Sequence, residues 1–253
     1  MRMRTRARGR TDTGLKRSHN EDAFRIDQDL GLYIVCDGVG GRARGEIASE
    51  ETADLIWEWV KANIQPLREL PRGTERHGRL LSMVRSAIQN ACYMVHGMGE
   101  LDPDRRGMST TASVLLLDDD VGFIGQVGDS RVYLARGDTV SQLTEDHTLV
   151  ALQLKSGIIT EEQARTSRMK NMITRAVGQK EYVEVDVRTF ELHRGDRFLL
   201  CSDGLHEYLD SAQTLIDLFR LDVGDAAKRA IELANAGGGK DNITALFIHG
   251  VVS

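Results

Sequence analysis

The stretch YIVCDGVGGRARGE, residues 33–46, joins an apolar run to a glycine-rich turn and then to the start of a helical pattern. Its residues fit more than one chemistry. The pattern Gly38-x-Gly40-x-x-Ala43 is that of a turn which cradles the pyrophosphate of a dinucleotide. Cys36 and Arg42 have the Cys-x5-Arg spacing of a thiol phosphatase loop. The aspartate at position 37 stands at a predicted strand end, where a metal ligand would lie.

Two of these interpretations are weak. A dinucleotide site requires a second, parallel strand within about 30 residues of the turn, and the next convincing strand begins only at Ala112. A thiol site requires a thiolate, which nearby positive charge stabilises. Here Cys36 is followed by the carboxylate of Asp37, and Val35 occupies the place usually held by histidine. Strand alternation also points Cys36 away from Asp37 and into the core.

The metal interpretation gains support from other acidic residues at the edges of predicted elements, several of them beside glycine or serine. They are Glu21, Asp22, Asp37, Asp129, Asp203 and Asp241. One aspartate in such a place is usually a turn former or a helix cap, but several indicate a converging site. Carboxylate and carbonyl oxygens are hard ligands that suit Mg²⁺ or Mn²⁺. Because close like charges cannot all stay ionised without a cation, the cluster predicts bound metal.

The composition restricts the class of protein. A chain of 253 residues, 41% of them apolar, suits one large domain or two small ones with a sizeable core. The net charge of −5 does not indicate the excess of positive charge that is typical of nucleic-acid-binding domains. No apolar run approaches the roughly 18 residues of a membrane helix, and none follows the basic N-terminus as in a signal peptide. Cys36, Cys92 and Cys201 lack metal-finger spacing, which favours a reduced, cytoplasmic setting.

The N-terminal sequence MRMRTRARGR has an arginine at every second position. These residues are Arg2, Arg4, Arg6, Arg8 and Arg10. A period of two predicts a strand with one basic face. The favoured interpretation is a first strand whose basic face is solvated, and the alternative is a docking arm for an acidic partner. The sequence does not separate the two.

Seven short runs rich in valine, isoleucine, leucine and phenylalanine predict strands. They are 32–36, 112–117, 121–127, 131–135, 183–192, 197–201 and 243–248. Helical patterns cover 46–64, 80–95, 212–219 and 225–234. Since the helices come in pairs and strands cluster between them, the order favours antiparallel or mixed sheets with helices outside. The polar, poorly periodic segment 149–178 predicts an inserted flap.

An ordered set of motifs extends from about Thr11 to Ile248. The motifs are TDTGLKRSHNEDAF, CDGVGGRARGEIAS, MSTTAS, GDSRVYL, LTEDHTL, GIITEEQA, NMITRAVG, CSDGL and KDNIT. In this order they resemble the bacterial metal-dependent (PPM, type 2C) serine/threonine protein phosphatases. The resemblance implies an α+β fold, with a central β-sandwich of two mostly antiparallel sheets flanked by helix pairs. The four layers α-β-β-α would form a single domain over residues 1–253, with the flap at about 149–178.

The resemblance also implies a dinuclear metal site at one end of the sandwich. Asp37 would bridge the two ions, Mn²⁺ or Mg²⁺, and the Gly38 carbonyl would bind one of them. Asp203 and Asp241 match further ligands. Asp129, with Asp203, matches the ligands of a third and weaker site. Two ions roughly 3.5–4 Å apart can activate a water for in-line attack on phosphorus, so no protein nucleophile is needed.

On the substrate side, the resemblance makes Arg17 the residue that grips the phosphate, for which guanidinium offers a planar bidentate fork. Glu21 and Asp22 match the acidic pair that holds metal-bound waters. Asn242 is expected to contact these residues rather than a metal ion.

Some positions depart from the family pattern or have no assigned role. Val39 stands where some members have a histidine that is proposed as general acid, so the proton donor to the leaving group is unassigned. His206 is one candidate, against a packed or exposed histidine. For His147, an orienting or structural hydrogen bond is favoured over catalysis. Cys36 and Cys201 both end strands that lead to metal ligands, so a redox switch between neighbours is an alternative to two packed thiols.

The leading hypothesis is hydrolysis of phosphoserine and phosphothreonine in proteins, opposing a bacterial serine/threonine kinase. The alternative is a non-catalytic phosphoprotein-binding domain on the same fold, and an oxidoreductase is weaker still. Retention of Asp37, Asp203, Asp241 and Arg17 favours the enzyme, since a degenerate binder could lose them. A relative that acts on sigma-factor regulators is also open, although such relatives generally lack the flap. Phosphorylated proteins and the kinase are the expected partners, and a monomer is expected.

Overall fold

The computed structural model describes residues 4–39, 44–209 and 211–251 of the chain. Eleven strands lie in these residues. They are β1 (Arg4–Asp12), β2 (Asp22–Asp27), β3 (Leu32–Val39), β4 (Ser109–Thr110), β5 (Ala112–Asp118), β6 (Val121–Val127), β7 (Arg131–Arg136), β8 (Thr139–Gln142), β9 (Asp186–Glu191), β10 (Arg197–Cys201) and β11 (Ile243–Val251). Arg2, Gly40, Arg42 and Ala43, which entered the sequence interpretations, lie outside the described residues.

Seven α-helices lie in the same part of the chain. They are α1 (Gly45–Arg68), α2 (Thr74–Leu101), α3 (Leu149–Lys155), α4 (Glu161–Thr166), α5 (Asp203–His206), α6 (Ala212–Arg220) and α7 (Val223–Ala236). α1 contains Pro66 in its last turn, where the Arg68 side chain donates to Asp118 and to the Leu30 carbonyl. None of the helices in the described ranges combines the length and the apolar composition needed to cross a membrane.

The strands form two antiparallel sheets. One has the order β1-β11-β10-β7-β8, and the other has the order β2-β3-β5-β6-β9, with β4 paired to β3. After the glycine turn, the chain passes through α1 and α2 and returns as β5, which pairs antiparallel with β3. No parallel βαβ unit forms there, so the dinucleotide interpretation is wrong.

β3 shows how the layers are built. Tyr33 and Val35 face the second sheet, whereas Ile34 and Cys36 face α1 and α2. Successive side chains of a strand point to opposite faces, and burial of both faces explains why the strand is continuously apolar. α6 and α7 cover the outer face of the other sheet. The predicted four layers, α-β-β-α, are confirmed.

Cys36 and Cys201 are not neighbours, which excludes the alternative of a redox switch and leaves the two packed thiols that the sequence favours. Cys36 packs against α1 and α2, and Cys201 packs in the layer formed with α6 and α7, so both sheets lie between the two thiols. A disulfide requires Cα atoms within about 7 Å of each other. Both thiols are free and fully buried, and a disulfide switch between them is excluded.

The N-terminal arginine alternation lies on β1. Arg4, Arg6, Arg8 and Arg10 are exposed, whereas Ala7 is 1% exposed and packs between the sheets. These four arginines are called the arginine stripe below. The predicted first strand with one exposed basic face is therefore confirmed at these positions, and its exposure fits both a solvated face and a docking surface.

Three strands escape the sequence pattern. β2 mixes polar and apolar residues that are mostly half-buried, β4 has only two residues, and β8 is a largely exposed edge strand. Such strands lack the apolar signal on which strand prediction depends. The strand predicted from position 183 begins at 186, as β9.

The segment 149–178 forms a largely exposed flap between β8 and β9. Its helices α3 and α4 have seven and six residues and are capped by Thr148 and Thr160. Helices this short cannot show a repeated apolar spacing, which explains the poor periodicity. The flap contacts the residues after α5 through an ion pair of 2.8 Å between Lys170 and Glu207.

Candidate metal centre

The fold brings five predicted aspartates to one end of the sandwich. Asp22 and Asp37 are register partners on β2 and β3. Asp129 lies two residues after the end of β6, Asp203 begins α5 two residues after the end of β10, and Asp241 lies two residues before β11. Burial raises the pKa of Asp37 well above its usual range, and the charges of the other four aspartates raise it further. The carboxylates therefore act on one another, as a converging site requires.

Glycines beside the aspartates let these segments approach closely. A Cβ atom on Gly38 would lie 2.4 Å from the carbonyl oxygen of Glu21, and a Cβ atom on Gly204 would lie 2.0 Å from the carbonyl oxygen of Asn242. Both contacts are with backbone, which cannot move aside as a flexible side chain can. Only glycine fits where two backbones approach this closely. The repeated Asp-Gly pair thus follows from the packing that builds the site.

Hydroxyl groups hold the backbone of Asp37. Its N–H donates to Thr111 Oγ1 at 2.9 Å, and its carbonyl accepts from Thr110 Oγ1 at 2.9 Å. Thr111 Oγ1 lies 2.7 Å from Ser130 Oγ, which follows Asp129 in the chain. The network therefore joins two of the predicted ligand positions. The motif MSTT is singled out by resemblance alone, and its physical signal is a run of buried hydroxyls beside an apolar strand.

Asp22 is held at one oxygen and left unsatisfied at the other. Its Oδ2 accepts from Ser202 Oγ at 2.8 Å and from Thr244 Oγ1 at 2.6 Å. Burial raises the pKa of Asp22 to about 6, against the effect of these two hydrogen bonds. Its buried Oδ1 has no hydrogen-bond partner in the described part of the chain. An unpaired buried acceptor is costly, and a cation or a water bound to one would satisfy it. Neither hydroxyl is singled out by the sequence alone.

Negative charge exceeds positive charge at this end of the sandwich. Burial raises the pKa of Asp203 well above its usual range, with Asp129 adding to the shift. Burial likewise raises the pKa of Asp129 to about 6, with Asp146 adding to the shift. Arg131 favours the ionised form of Asp129, but it already pairs with Asp146 at 2.6 Å.

This donor set fits hard divalent cations, which prefer carboxylate and carbonyl oxygens. Within the described ranges, no three acidic, histidine or cysteine side chains lie close enough to enclose an ion directly. Carboxylates without a cation between them repel one another, and Mg²⁺ usually keeps several of its waters. Coordination here would therefore combine direct carboxylate contacts with bound water.

Arg17 lies on the loop between β1 and β2 and reaches the acidic cluster. Its Nη2 donates to Asp241 Oδ2 at 2.8 Å, and its side chain is 45% exposed. This hydrogen bond raises the pKa of Arg17. Asn242 fixes the loop, since its Nδ2 donates to the carbonyls of Thr13 and His19 at 3.0 and 2.9 Å. The guanidinium is thus anchored on one side and accessible on the other.

Glu21 lies at the rim of the cluster. Its N–H donates to Asn242 Oδ1 at 2.9 Å. Its carboxylate lies 4.0 Å from His19 Nε2, and burial followed by the charge of Glu46 raises its pKa. Glu21 therefore faces the start of α1, whereas Asp22 lies among the other aspartates.

Two histidines hold the turn that carries Asp129. His206 Nε2 donates to the Asp129 carbonyl at 3.0 Å. From the other side, the Gly128 N–H donates to His147 Nδ1 at 3.1 Å, so the ring proton lies on Nε2, which is 3.1 Å from Asp186 Oδ2. His147 thus makes hydrogen bonds of the structural kind favoured from the sequence, and it joins the turn to the base of the flap.

We expect His206→Ala to leave the shape of the pH–rate profile unchanged between about pH 6 and pH 9. Burial lowers the pKa of His206 to about 4, so the ring is neutral in that range, and its N–H is committed to a backbone carbonyl. The rate itself should fall less than about tenfold, through looser placement of Asp129. Measurement of kcat/KM against pH, with the exposed His193→Ala as control, checks this. Loss of the alkaline limb in His206→Ala alone would make His206 the general acid.

Thiol chemistry at Cys36 is excluded by its surroundings. The side chain is fully buried among residues of β3, α1 and α2. Burial raises the pKa of the Cys36 thiol, whereas a nucleophilic cysteine requires a lowered pKa and access to substrate. Cys36 is a packing residue, as strand alternation predicts.

Comparison with known proteins agrees with this site. The pattern of the family Protein phosphatase 2C matches residues 15–230. The chain is 36% identical over 244 residues to Protein phosphatase PhpP of Streptococcus pneumoniae, covering 94% of each chain. It is 32% identical to the catalytic domain of the serine/threonine protein phosphatase PstP in complex with two manganese ions, with a TM-score of 0.83 over 98% of this chain and 99% of that one. Serine/threonine phosphatase Stp1 from Staphylococcus aureus gives 29% identity and a TM-score of 0.84 over 98% and 95%. The chain belongs to the protein phosphatase 2C family.

Proposed function

We propose that this protein hydrolyses phosphoserine and phosphothreonine in other proteins, with divalent cations held by the acidic cluster. The observation that carries the proposal is the placement of five aspartates at one end of the sandwich, where Asp22 and Asp37 are register partners and the partly exposed guanidinium of Arg17 pairs with Asp241. Family membership supports it, because the similar proteins are named as protein phosphatases. The two manganese ions of the PstP complex favour Mn²⁺, and the all-oxygen donor set also suits Mg²⁺.

The acidic residues would hold the metal ions. Asp37, the Gly38 carbonyl, Asp203 and Asp241 would hold a pair of ions, and Asp129 with Asp203 would hold a third, weaker one. When bound, the pair would supply Lewis-acid activation of an attacking water and would offset the charge of the phosphate.

The chain's own contribution is orientation. Arg17 would bind two phosphate oxygens with its accessible edge, while Asp241 holds the other side of the guanidinium at 2.8 Å. Asp22 would orient water through its unpaired Oδ1, and Glu21 would assist from the rim. An aligned phosphate needs less rearrangement to reach the geometry of in-line attack.

No described side chain at the expected position supplies the leaving group's proton. Val39 is apolar and 37% exposed, and the His206 N–H is committed to a carbonyl. We therefore propose that a water molecule in the site protonates the departing serine or threonine oxygen.

The setting is also a proposal. We propose a single domain over residues 1–253 that acts as a cytoplasmic monomer on the products of a bacterial serine/threonine kinase. Three free, buried cysteines suit a reducing compartment. The similar phosphatases named above come from bacteria.

Turnover should depend strictly on divalent metal. With Mn²⁺ present, the protein should hydrolyse p-nitrophenyl phosphate and a phosphothreonine peptide, and excess EDTA should lower both rates at least about 100-fold. Restoring Mn²⁺ should restore both, which separates metal loss from denaturation. Hydrolysis unaffected by EDTA, or binding of the phosphopeptide without turnover in Mn²⁺, would contradict the proposal, and the second result would favour a non-catalytic binding domain.

A further inference from the structure

The arginine stripe is a concentrated positive surface on a chain of net charge −5. All four of its residues are exposed on one face of β1. Arg6 pairs with Asp222 at 2.9 Å. The other three, Arg4, Arg8 and Arg10, have no carboxylate within ion-pair distance in the described part of the chain. Most of the charge of the stripe is therefore open to an external partner.

The stripe leads to the catalytic end of the molecule. β1 ends at Asp12, and the following loop carries Gly14, where a Cβ atom would lie 2.2 Å from the Asp241 carbonyl oxygen. The same loop carries Arg17. Along a strand each residue advances about 3.3 Å, so the stripe from Arg4 to Arg10 is roughly 20 Å long, with one guanidinium about every 6.6 Å, and it ends just before Asp12. An extended peptide repeats its side chains on one face with the same spacing.

At the edge of β1, a bound peptide would make contact through the arginine side chains rather than by adding a strand to the sheet. β1 is the outermost strand of its sheet, but its Ala7 N–H already donates to Gln28 Oε1 at 3.0 Å. A strand added at this edge would lose that donor. Beside Arg6 and Arg8, a cavity of about 260 Å³ opens toward the first residues of α7. Asp222, which precedes that helix, lines the cavity and pairs with Arg6, so Arg8 is the residue there that can receive an acidic side chain.

We propose that the arginine stripe is a docking surface for an acidic, extended segment of the phosphoprotein substrate, with acidic side chains at alternate positions. The proposal rests on the proposed function, since it makes the stripe a determinant of which phosphorylated proteins are hydrolysed. The stripe binds the segment while the phosphorylated residue lies at Arg17. It contributes nothing to a substrate too small to reach both places.

The test compares two phosphothreonine peptides that differ only in an alternating glutamate run, which is replaced by glutamine in the second. For the wild type, we expect kcat/KM to be about tenfold higher for the glutamate peptide at low ionic strength. The preference should largely disappear near 1 M salt, where the screening length is about 3 Å. In the triple variant Arg4→Ser, Arg8→Ser, Arg10→Ser the ratio should be close to one at any salt concentration, with hydrolysis of p-nitrophenyl phosphate unchanged.

A control variant with the same change in net charge replaces three exposed arginines elsewhere, Arg79, Arg194 and Arg220, by serine. It should keep the wild-type preference, because the proposal depends on place and not on total charge. Equal kcat/KM for the two peptides in the wild type, or equal loss of preference in both variants, would overturn the proposal.

A binding measurement makes the test independent of turnover. Fluorescence anisotropy of a labelled, unphosphorylated glutamate peptide should show binding to the wild type and the control, and about tenfold weaker binding to the stripe variant. Failure of all proteins to hydrolyse p-nitrophenyl phosphate would instead count against the proposed function alone. If the stripe binds an oligonucleotide or anionic vesicles but not the glutamate peptide, the protein-substrate proposal is wrong.

Discussion

Asp37→Asn is expected to lower kcat for p-nitrophenyl phosphate in Mn²⁺ by at least about 1,000-fold, which corresponds to about 4 kcal/mol of transition-state stabilisation. Asparagine keeps the shape of the side chain and can still accept from neighbours, but it removes the negative charge at the centre of the cluster. Asp37 is the acid on which the charges of Asp22, Asp129, Asp203 and Asp241 converge. No other described acid occupies that place, so other residues cannot replace its charge.

Although Asp37→Asn should lower activity, it should raise the stability of the metal-free protein. Burial and neighbouring acids raise the pKa of Asp37, so without metal its ionised form costs stability at every pH above its ordinary value. The stability that the protonated form contributes is present below the ordinary pKa and is lost as pH rises from that value to the raised pKa, because over this range the unfolded state releases its proton while the folded state keeps it. In EDTA at pH 7 to 8, Asp37→Asn should therefore melt at a higher temperature than the wild type, whereas in Mn²⁺ the order should reverse.

Asp29→Asn is the matched control, since Asp29 is exposed in the turn between β2 and β3. It should change neither kcat nor the stabilisation produced by Mn²⁺. Two results would contradict the assignment of Asp37: turnover within about tenfold of the wild type, or a metal-free Asp37→Asn protein that melts at a lower temperature than the wild type. The second readout does not depend on an active enzyme, so it tests the electrostatics of the cluster directly.

The layered architecture was predictable because the core-forming strands are buried on both faces. β3, β5 and β10 read as continuous apolar runs, and such runs are conspicuous in a sequence. β2 was not predictable in this way, since it mixes polar and apolar residues without a regular period and most of them are only half-buried. Its place next to β3 nevertheless decides the site, because that pairing sets Asp22 beside Asp37. Weakly patterned elements thus escape prediction even where they carry function.

The acidic positions were predictable from local chemistry, but their supporting groups were not. An aspartate followed by glycine at a strand end signals a close backbone approach, as Gly38 and Gly204 show. The hydroxyls that hold Asp22 come from residues 202 and 244, about 180 and 220 positions away in the chain. His147 reaches the turn before Asp129 only through the tertiary fold. Long-range hydrogen bonds of this kind depend on how the sheets pack, and no local pattern encodes that.

Arg17→Ala is expected to lower kcat/KM for a phosphothreonine peptide about 100-fold, because two charge-assisted hydrogen bonds to phosphate together contribute about 3 kcal/mol. Arg17→Lys should recover part of the loss, to within about tenfold of the wild type, since an ammonium keeps the charge but not the planar fork. Inorganic phosphate should inhibit the alanine variant about 100-fold less strongly than the wild type. Lys16→Ala, at the exposed neighbouring position, should change neither quantity.

The contact between Arg17 and Asp241 allows a second explanation of any loss, and metal affinity separates the two. If Arg17 served mainly to position Asp241, with which it pairs at 2.8 Å, its removal would weaken Mn²⁺ binding. If its main task is to hold phosphate, removal of a positive charge from the rim of an acidic cluster should leave Mn²⁺ affinity unchanged or slightly higher. Titration of the melting temperature with Mn²⁺ distinguishes these outcomes without substrate. Weaker Mn²⁺ binding together with unchanged phosphate inhibition would make Arg17 a support for the metal ligand, and the phosphate would then need another cationic partner.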